Sequence, residues 1–432
     1  MGMIVDKEEF RKILRDVVEE QADALWEALN GHENAKGFDI ALRQRGGEML
    51  RVACGEVLST RGRVEREGRE ITCACGGKAV FKQYRPQTVE TVLPGKVVRF
   101  RAAYYECPTC NRGTTPLLAR LGIGNDRMTL GLREMVVLAG TVETYEAASR
   151  DLLSRMADVE LSDVQVRRAV CDEAKSVEDH LDQARPSGNE KARPSEIVVG
   201  IDGGMVHVNG KWHEAKLACI YEKGDRVQVS PKRGELIGRE VTAVLGDRGD
   251  LAKKLWSRVE AMKAENANVV LLRDGAPWIH NLAADLFPRR VEILDWHHAV
   301  EHINDCARAL YGESPGGNLS DRAKEWSKAQ LDRLWDDGVG DVLLGLRFLA
   351  VRQKTARKTK AIQGLTRYIE ENREAMRYRT FRDLGYPVGS GFVESAIHHV
   401  VQLRMKRPGC RWDQPGADAI LSLRCLYRSI GR

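Results

Sequence analysis

The sequence predicts a multi-domain protein of the α/β class. Its 432 residues exceed the ~100–200 residues of an ordinary single domain. Two β-rich runs with paired cysteines lie between residues 71 and 112, and apolar strands alternate with amphipathic helices after residue 197. Such alternation is typical of a sheet covered by helices.

The composition indicates the compartment of the protein and the role of its cysteines. No uninterrupted apolar run approaches the ~18–20 residues that span a bilayer, and the first residues lack the charged-then-apolar order of a signal peptide. Ten cysteines in a chain of this length do not indicate a disulfide scaffold, and clustered cysteines in a reducing compartment indicate metal ligands. We therefore expect a cytoplasmic protein with no membrane partner.

Charge is distributed unevenly along the chain. Residues 1–50 hold seven Lys and Arg against eleven Asp and Glu, whereas residues 351–432 hold seventeen against seven. The C-terminal part is therefore expected to face a polyanion. Its first basic run consists of Arg352, Lys354, Arg357, Lys358 and Lys360. This run alone is equally compatible with the solvated face of a helix.

A zinc-ribbon-like segment is predicted after an acidic helical region at 1–70. Residues 71–112 predict a β-hairpin that turns at Pro94 and Gly95 and has cysteines at its open end. These are Cys73, Cys75, Cys107 and Cys110. Four thiolates can hold Zn²⁺ tetrahedrally, so we expect a structural zinc site, although the first pair is C-x-C instead of C-x-x-C. Buried free cysteines are the alternative.

Residues 113–181 predict a helical, helix-turn-helix-like region for DNA binding. Ser162 is a candidate N-cap, and the helix after it exposes Arg167 and Arg168. Ordinary helical hairpins share this pattern. The stretch 182–196, rich in Pro, Gly and charges, predicts a linker.

Residues 197–303 predict a sheet with helices between its strands. The strands begin with EIVVGIDGG, which ends in Asp202; HEAKLACIYE and RVQVSPKR follow, and residues 239–264 predict a helix. NVVLLRDG ends in Asp274, and a helix, the strand VEILDW and another helix come next. This order is similar to that of the RNase H-like fold. Side chains at the carboxyl ends of such strands emerge into a cleft.

Paired acids of this kind suit phosphodiester chemistry. Two Mg²⁺ or Mn²⁺ ions can activate the attacking oxygen and stabilise the leaving oxygen, and they prefer carboxylate ligands. Gly203 and Gly275 follow the two aspartates and permit a close approach of a DNA backbone. A single Asp-Gly pair after a strand is also an ordinary turn. A third acid, Glu394, follows the glycines of GSGFVES, where a lone Glu could also be a capping residue.

The spacing of the acids predicts an insertion. Asp202 and Asp274 are 72 residues apart, whereas Asp274 and Glu394 are 120 apart, more than one strand and one helix require. Residues 304–384 have helical periodicity and are interpreted as an all-α insertion, with 385–432 as the second part of the core. On this insertion, DNA phosphate contacts are expected from Lys354, Arg357 and Lys358.

From about residue 71 to the C-terminus, the chain resembles the ISKra family of insertion-sequence transposases, which are DDE enzymes. The resemblance is carried by IDGG, DGAPWI, DWHHAVEHI, GSGFVES and RMKRPGCRW. It implies that Asp202, Asp274 and Glu394 hold the two divalent ions in an RNase H-like core. It also implies an insertion like that of Mutator-like transposases.

Asp295 and His298 form a D-x-x-H pattern that is similar to a signature of Mutator-like transposases. His298 is a candidate to contact the scissile phosphate or a flipped base. Because His297, His298 and His302 are crowded at helical spacing, some of them are expected to be packing residues. A zinc site formed by these histidines and Glu301 is the weaker alternative.

Cations beside the third acid are expected to hold phosphates at a transposon end, and one aromatic side chain is expected to stack on a base or to lie in the core. These residues are Arg404, Lys406, Arg407, Arg411 and Trp412.

The expected function is DNA transposition in a bacterium. The protein should bind the terminal inverted repeats of its element and the double-stranded target DNA, cleave phosphodiester bonds and transfer strands, as a nucleoid-associated homodimer or larger assembly. Two alternatives stay open: a domesticated zinc and helix-turn-helix regulator without catalysis, and an RNase H-like nuclease without transposition.

Overall fold

The computed structural model describes residues 6–31, 35–64, 66–93, 97–183, 193–230 and 233–429. It confirms a mixed α/β protein and divides the chain into two compact units, Met1–Glu173 and Ala174–Arg432. The predicted turn at Pro94 and Gly95 lies outside the described residues, as does most of the predicted linker. In the described ranges, no helix has the length and apolar character needed to cross a membrane.

The first unit contains two long helices, a small sheet and a group of shorter helices. Its elements are α1 (Lys7–Asn30), α2 (Ala35–Val64), β1 (Glu70–Thr72), β2 (Lys78–Glu90), β3 (Val97–Glu106), β4 (Gly113–Thr114), α3 (Pro116–Arg120), α4 (Leu130–Val142), α5 (Tyr145–Ala147), a π-helix (Ala148–Met156) and the first half of α6 (Asp163–Gln183), which continues into the second unit from Ala174.

The small sheet is antiparallel, with the strand order β1-β2-β3-β4. Helix α2 packs tightly on β3 through small residues. A Cβ added to Gly55 would lie 2.3 Å from the carbonyl oxygen of Arg99, and one added to Gly62 would lie 2.6 Å from that of Arg101. Ser59, between them, accepts a hydrogen bond from the Arg101 N–H. Side chains longer than these would push the helix off the strand.

The helices α4, α5, the π-helix and α6 share one buried cluster, which includes Leu132, Val136, Leu153 and Val166. The predicted N-cap is confirmed, because the Ser162 hydroxyl accepts from the Gln165 N–H at 3.3 Å while the Gln165 side chain accepts from the Ser162 N–H at 3.0 Å. This reciprocal pair starts α6.

The second unit is built on a larger sheet. Its elements are β5 (Glu196–Val208), β6 (Lys211–Glu222), a 3₁₀ turn (Lys223–Asp225), β7 (Arg226–Ser230), β8 (Arg233–Leu236), β9 (Glu240–Val244), α7 (Arg248–Ala261), β10 (Asn268–Arg273), α8 (Pro277–Leu286), β11 (Arg290–Leu294), α9 (Trp296–Tyr311), α10 (Asp321–Trp335), α11 (Val339–Arg352), α12 (Ala356–Glu371), a 3₁₀ turn (Arg373–Met376), α13 (Tyr378–Asp383), α14 (Gly391–Ile397), a π-helix (His398–Gln402), α15 (Leu403–Met405) and α16 (Gln414–Arg428).

The five strands lie in the order β9-β6-β5-β10-β11. The β9, β6 and β5 pairings are antiparallel, and β10 is parallel to both β5 and β11. Helices α7 and α8 pack on one face, where Ile197, Val199 and Ile201 of β5 are buried. The helix α14 packs on the opposite face, which carries Val198 and, by the two-residue alternation of a strand, Gly200 and Asp202.

The sequence interpretation placed the end of the first strand at Asp202, but the strand does not end there. β5 continues to Val208 and forms a hairpin with β6 through Asn209 and Gly210, whose φ angles are +49° and +79°. Asn-Gly is the preferred pair for a two-residue hairpin turn, because both positions need positive φ. Asp202 therefore lies in the middle of a long strand.

The third strand of the sheet is β9, which lies inside the segment predicted to be helical from 239. The predicted third strand, RVQVSPKR, instead supplies β7, which pairs with β8 in a separate hairpin. The helix α7 begins only at Arg248, where Asp247 accepts hydrogen bonds from the N–H groups of Gly249 and Asp250. The helix predicted from residue 239 included β9, because this short buried strand lies directly before a strongly capped helix.

The segment between β11 and α14 is helical and has its own core. Helices α9 to α12 and the segment after them bury a cluster that includes Ile303, Leu334, Leu346, Leu365 and Tyr378. Leu294, the last residue of β11, belongs to the same cluster.

Gly200 permits the close packing of α14 on β5. A Cβ at this position would lie 2.5 Å from Cζ of Phe392 and 3.0 Å from Cβ of Val393. We expect Gly200→Ala to lower the free energy of unfolding by ~1–3 kcal/mol, because the buried neighbours must shift. Urea denaturation measures this change.

Gly340→Ala is the matched control. Gly340 is an exposed glycine of α11 with no atom within 4 Å of an added Cβ, so alanine there should raise stability by ~0.4–1 kcal/mol. Equal effects of the two substitutions would contradict the packing of α14 on Gly200.

Candidate active site and metal centre

Asp202 and Asp274 lie at the same level of the larger sheet. In the parallel pairing of β10 with β5, Leu272 stands opposite Gly200, and each aspartate follows two residues later. Neighbouring strands are ~4.8 Å apart, so the two carboxylates start from adjacent positions on one face. Asp202 accepts a hydrogen bond from the Gly203 N–H at 2.6 Å, and Asp274 from the Ala276 N–H at 2.8 Å.

The glycines after the two aspartates differ in their roles. Gly275 has a φ of +96°, a conformation that favours glycine, and it allows the chain to turn after β10. Gly203 is part of β5, and its missing side chain leaves room for the Glu214 carboxylate of β6. The interpretation of Gly203 as a turn is therefore wrong, because the strand continues through it.

Glu394 reaches the same face from α14. Gly200 and Gly204 flank Asp202 on this face, and the first contacts Phe392 and Val393 while the second contacts Ile397 and Val401. Because neither glycine carries a side chain, the helix lies close to the strand. The Ser390 hydroxyl donates a short hydrogen bond to the Glu394 carboxylate, which holds the third acid at the start of the helix.

The pKa of Asp202 depends on the other predicted site residues. Burial raises the pKa of Asp202, and the carboxylates of Asp274 and Glu394 raise it further, whereas the Gly203 N–H and the His298 ring lower it. Asp274, Glu394 and His298 therefore each lie within electrostatic range of Asp202. A cation placed among them would relieve the repulsion between the carboxylates.

Asp295 connects the helix α9 to the segment before α14. Its side chain is fully buried and caps α9 by accepting from the His298 N–H at 3.1 Å. The other carboxylate oxygen accepts from the Ser390 N–H at 2.7 Å. One side chain thus positions His298 and, through Ser390, Glu394. The D-x-x-H pattern located this residue, but the sequence did not indicate its contact with Ser390.

The three histidines of α9 have different surroundings. His298 is partly exposed, with Nδ1 3.4 Å from a Glu301 carboxylate oxygen, and His297 is exposed. His302 stacks on Tyr368 of α12 with a ring-centroid distance of 3.8 Å, and burial lowers its pKa. His302 therefore contacts α12 through its ring, at an exposed position of α9.

Tyr368 is a site residue that the sequence did not indicate. Its ring lies 3.7 Å from the position of a Cβ on Gly275, and its buried hydroxyl has no hydrogen-bond partner among the described residues. Burial raises the pKa of this phenol, and the charge of Asp274 contributes. An aromatic residue in the helical insertion carries no sequence signal that would connect it with Asp274.

The basic residues predicted to bind DNA are dispersed. Arg167 and Arg168 are exposed on α6. Lys354 is exposed just before α12, Arg357 is exposed in its first turn, and Lys358 beside it is half-buried. Within the segment after α14, Lys406 and Arg411 are exposed and Arg407 is half-buried, donating to the Leu403 carbonyl.

Arg404 is buried, although the sequence predicts that it holds a phosphate, and Trp412 lies in the core, which is one of the two positions expected for it. The Arg404 guanidinium is only 1% exposed and lies over the Trp412 ring at 4.9 Å. Trp412 also bridges to Val208, six residues along β5 from Asp202, or about 20 Å at the rise of a strand. The segment around Trp412 therefore lies at the hairpin tip and not beside the carboxylates.

The four predicted cysteines form one cluster in the first unit. All four sulfur atoms lie within 4.8 Å of one another, with 3.7 Å between Cys73 and Cys110 and 3.6 Å between Cys75 and Cys107. A tetrahedron with Zn–S bonds of ~2.3 Å has S–S edges of ~3.8 Å. The cluster could therefore hold a metal such as zinc.

Two tight turns supply the thiols. The Cys73 N–H donates to the Gly77 carbonyl and the Cys107 N–H to the Arg112 carbonyl, at either side of the open end of the β2–β3 hairpin. Although burial opposes ionisation, the N–H groups of Cys110 and Thr109 lower the pKa of the Cys107 thiol to about 6. A thiolate at neutral pH is the form that binds metal. Among the described residues, only this cluster brings three or more such ligand atoms within 4.8 Å of one another.

Asp295→Asn tests the connection between α9 and α14. The amide offers one acceptor where the carboxylate offers two, and its NH₂ group would face a backbone N–H. We expect a loss of ~1–3 kcal/mol in the free energy of unfolding, measured by urea denaturation. Asp332→Asn, at an exposed position of α10, is the control and should change stability by less than ~0.5 kcal/mol. A stable Asp295→Asn protein would contradict the double acceptor role.

Replacing Cys107 and Cys110 by Ser tests the cysteine cluster. We expect the purified wild type to contain about one zinc per chain, and the double variant to lose it and unfold at a lower temperature. Elemental analysis and thermal unfolding measure both effects. Cys54→Ser, which changes an exposed thiol outside the cluster, should leave the metal content unchanged. A metal-free wild type would reject the zinc assignment.

Comparison with known proteins gives a family but no activity. No curated protein matches the chain. The model of a family described as "Uncharacterised protein family (UPF0236)" matches residues 38–431, which include the cysteine cluster and all three acids. A match over most of the chain shows membership, so this protein belongs to the UPF0236 family.

Proposed function

We propose that this protein is a DDE transposase, which cleaves DNA and transfers strands with Asp202, Asp274 and Glu394. The observation that carries the proposal is the convergence of these three acids on one face of the sheet. Asp202 and Asp274 stand level on adjacent parallel strands, and Glu394 lies within electrostatic range of Asp202. The resemblance of the motifs around them to ISKra transposases supplies the reaction class.

The sheet supports an RNase H-like core. Three antiparallel strands come first in the chain, and two further strands run parallel to the first one, in the spatial order β9-β6-β5-β10-β11. This is the strand order that the RNase H-like fold requires. The helices α9 to α13 stand between the fifth strand and α14, which suits the all-α insertion of such transposases.

The carboxylates are suited to metal binding. Each uses one oxygen in a hydrogen bond: Asp202 with Gly203, Asp274 with Ala276 and Glu394 with Ser390. No donor among the described residues occupies the second oxygen of any of them. The ligand atoms of the three acids do not all lie within 4.8 Å of one another. Ligands shared between two ions ~3.5–4 Å apart need not all meet at one point.

Bound Mg²⁺ or Mn²⁺ would activate the attacking oxygen and stabilise the leaving oxygen. The protein's own residues orient these ligands. Ser390 and Asp295 hold Glu394, and His298 lies where it can donate to an anionic oxygen of the substrate.

DNA binding is proposed for the exposed basic residues of both units. Arg167 and Arg168 on α6 suit contacts with a terminal repeat, and Lys354, Arg357 and Lys358 suit contacts with phosphates. The zinc-ribbon-like segment would stabilise the first unit. A dimer is proposed because two transposon ends must be paired.

Asp202→Asn and Glu394→Gln test the proposal. We expect each to abolish Mg²⁺-dependent cleavage of DNA that carries the element's terminal repeats, because each removes a charged ligand, while end binding stays within about threefold. Gel assays of cleavage and of strand transfer measure the reaction. Glu325→Gln, an exposed carboxylate of α10, is the control and should retain full activity.

The alternatives give different results in these assays. A DNA-binding regulator would bind the ends without cleavage in any variant. A nuclease would cleave without joining ends to a target. Retained cleavage in Asp202→Asn or Glu394→Gln would reject the site.

A further inference from the structure

A cavity of about 740 Å³ lies along α14, and its lining includes Ser395, which follows Glu394, but none of the three acids. Gly391, Phe392 and Ser395 of α14 form one wall, and residues of the β7–β8 hairpin form another. Ser395 follows Glu394 and is turned from it by about 100° around the helix. A ligand in this cavity would therefore lie on the neighbouring flank of the helix that carries the third acid.

Three arginines converge on the cavity from separate elements. Arg226 begins β7, Arg239 precedes β9 and Arg428 ends α16. Among the described residues of the lining, these three arginines face a single carboxylate, that of Glu235. The cavity therefore has a surplus of positive charge.

Arg239 and Arg428 are held side by side. The Arg239 Nε donates to the Arg428 carbonyl at 2.9 Å, and the Arg428 Nε is buried without a hydrogen-bond partner in the described part of the chain. Burial lowers the pKa of Arg239, and the charge of Arg428 lowers it further. Two half-buried guanidinium groups repel each other unless an anion lies between them.

The lining indicates what kind of anion fits. Guanidinium groups bind phosphate oxygens in pairs of hydrogen bonds, and Phe392 and Val388 supply apolar surface for sugars or bases. The volume falls within the ~300–1,000 Å³ of ordinary ligand sites, which is far more than one inorganic phosphate needs.

We propose that this cavity binds the phosphodiester backbone of a DNA strand that passes along α14 toward the acids. The inference rests on the proposed function, since it assigns part of the substrate path to this cavity. Arg226, Arg239 and Arg428 would each neutralise a phosphate. The basic residues that the sequence indicated do not include any of these three.

Binding of a fluorescein-labelled oligothymidylate, measured by fluorescence anisotropy in EDTA, tests this assignment. Chelation removes any metal-dependent contribution of the acids. We expect Arg428→Gln and Arg239→Gln each to weaken binding by about tenfold and to reduce the slope of log K against log salt by about one. Arg289→Gln, an exposed arginine elsewhere in the second unit, is the matched control and should bind as the wild type does.

Arg226→Gln is a second variant in case replacement of Arg239 unfolds the protein. Its side chain is exposed and makes no hydrogen bond or ion pair with the described residues, so folding should be unaffected. Circular dichroism checks the fold of each variant. Wild-type affinity in all three folded variants would overturn the proposal.

A titration with sodium phosphate at constant ionic strength distinguishes a site for a DNA strand from a site for free phosphate. If phosphate raises the unfolding temperature of the wild type but not of Arg428→Gln, while the arginine variants bind the oligothymidylate as the wild type does, the cavity serves a small anion and the DNA assignment is overturned. The anisotropy measurement in EDTA does not depend on cleavage. If Asp202→Asn and Glu394→Gln retained cleavage, the proposed function would be rejected, but the effect of the arginine substitutions on binding would still stand.

Discussion

The buried carboxylate of Asp295 is the contact on which the geometry of the second unit depends. It accepts from His298 in the same helix and from Ser390, which is 95 residues away. The Trp296 N–H donates to the Val388 carbonyl beside it, so the start of α9 and the segment before α14 are joined twice. A buried acceptor with both oxygens occupied by N–H groups stabilises only one arrangement of these segments.

The alternation of glycine with Asp202 along β5 provides the second constraint. Gly200, Asp202 and Gly204 share one face, and α14 with the π-helix after it fills the space that side chains would take. The π-helix carbonyls of His399 and Val400 accept from the buried Arg424 of α16, so the irregular turns are also satisfied internally. The two glycines of β5 thus allow α14 to pack close to the strand beside Asp202.

Sequence patterns predicted the mixed α/β class and the cluster of four cysteines. They misplaced β9 and the end of β5. A short buried strand before a capped helix has no pattern of its own, and Asp202-Gly203 resembles the end of a strand although the turn lies at Asn209 and Gly210. The contact of Asp295 with Ser390 and the approach of Tyr368 to Gly275 depend on packing between distant segments. No periodicity in the chain encodes them.

The long separation between Asp295 and Ser390 also affects how the protein acquires its fold during synthesis. Closing a loop of this length costs chain entropy that grows with the logarithm of its length, and prior folding of α9 to α12 shortens the effective loop. All five strands of the larger sheet precede α14, so a nascent chain can pair its strands while Glu394 is still missing. The third acid joins the other two only after all five strands and the helices α9 to α13 have been synthesised.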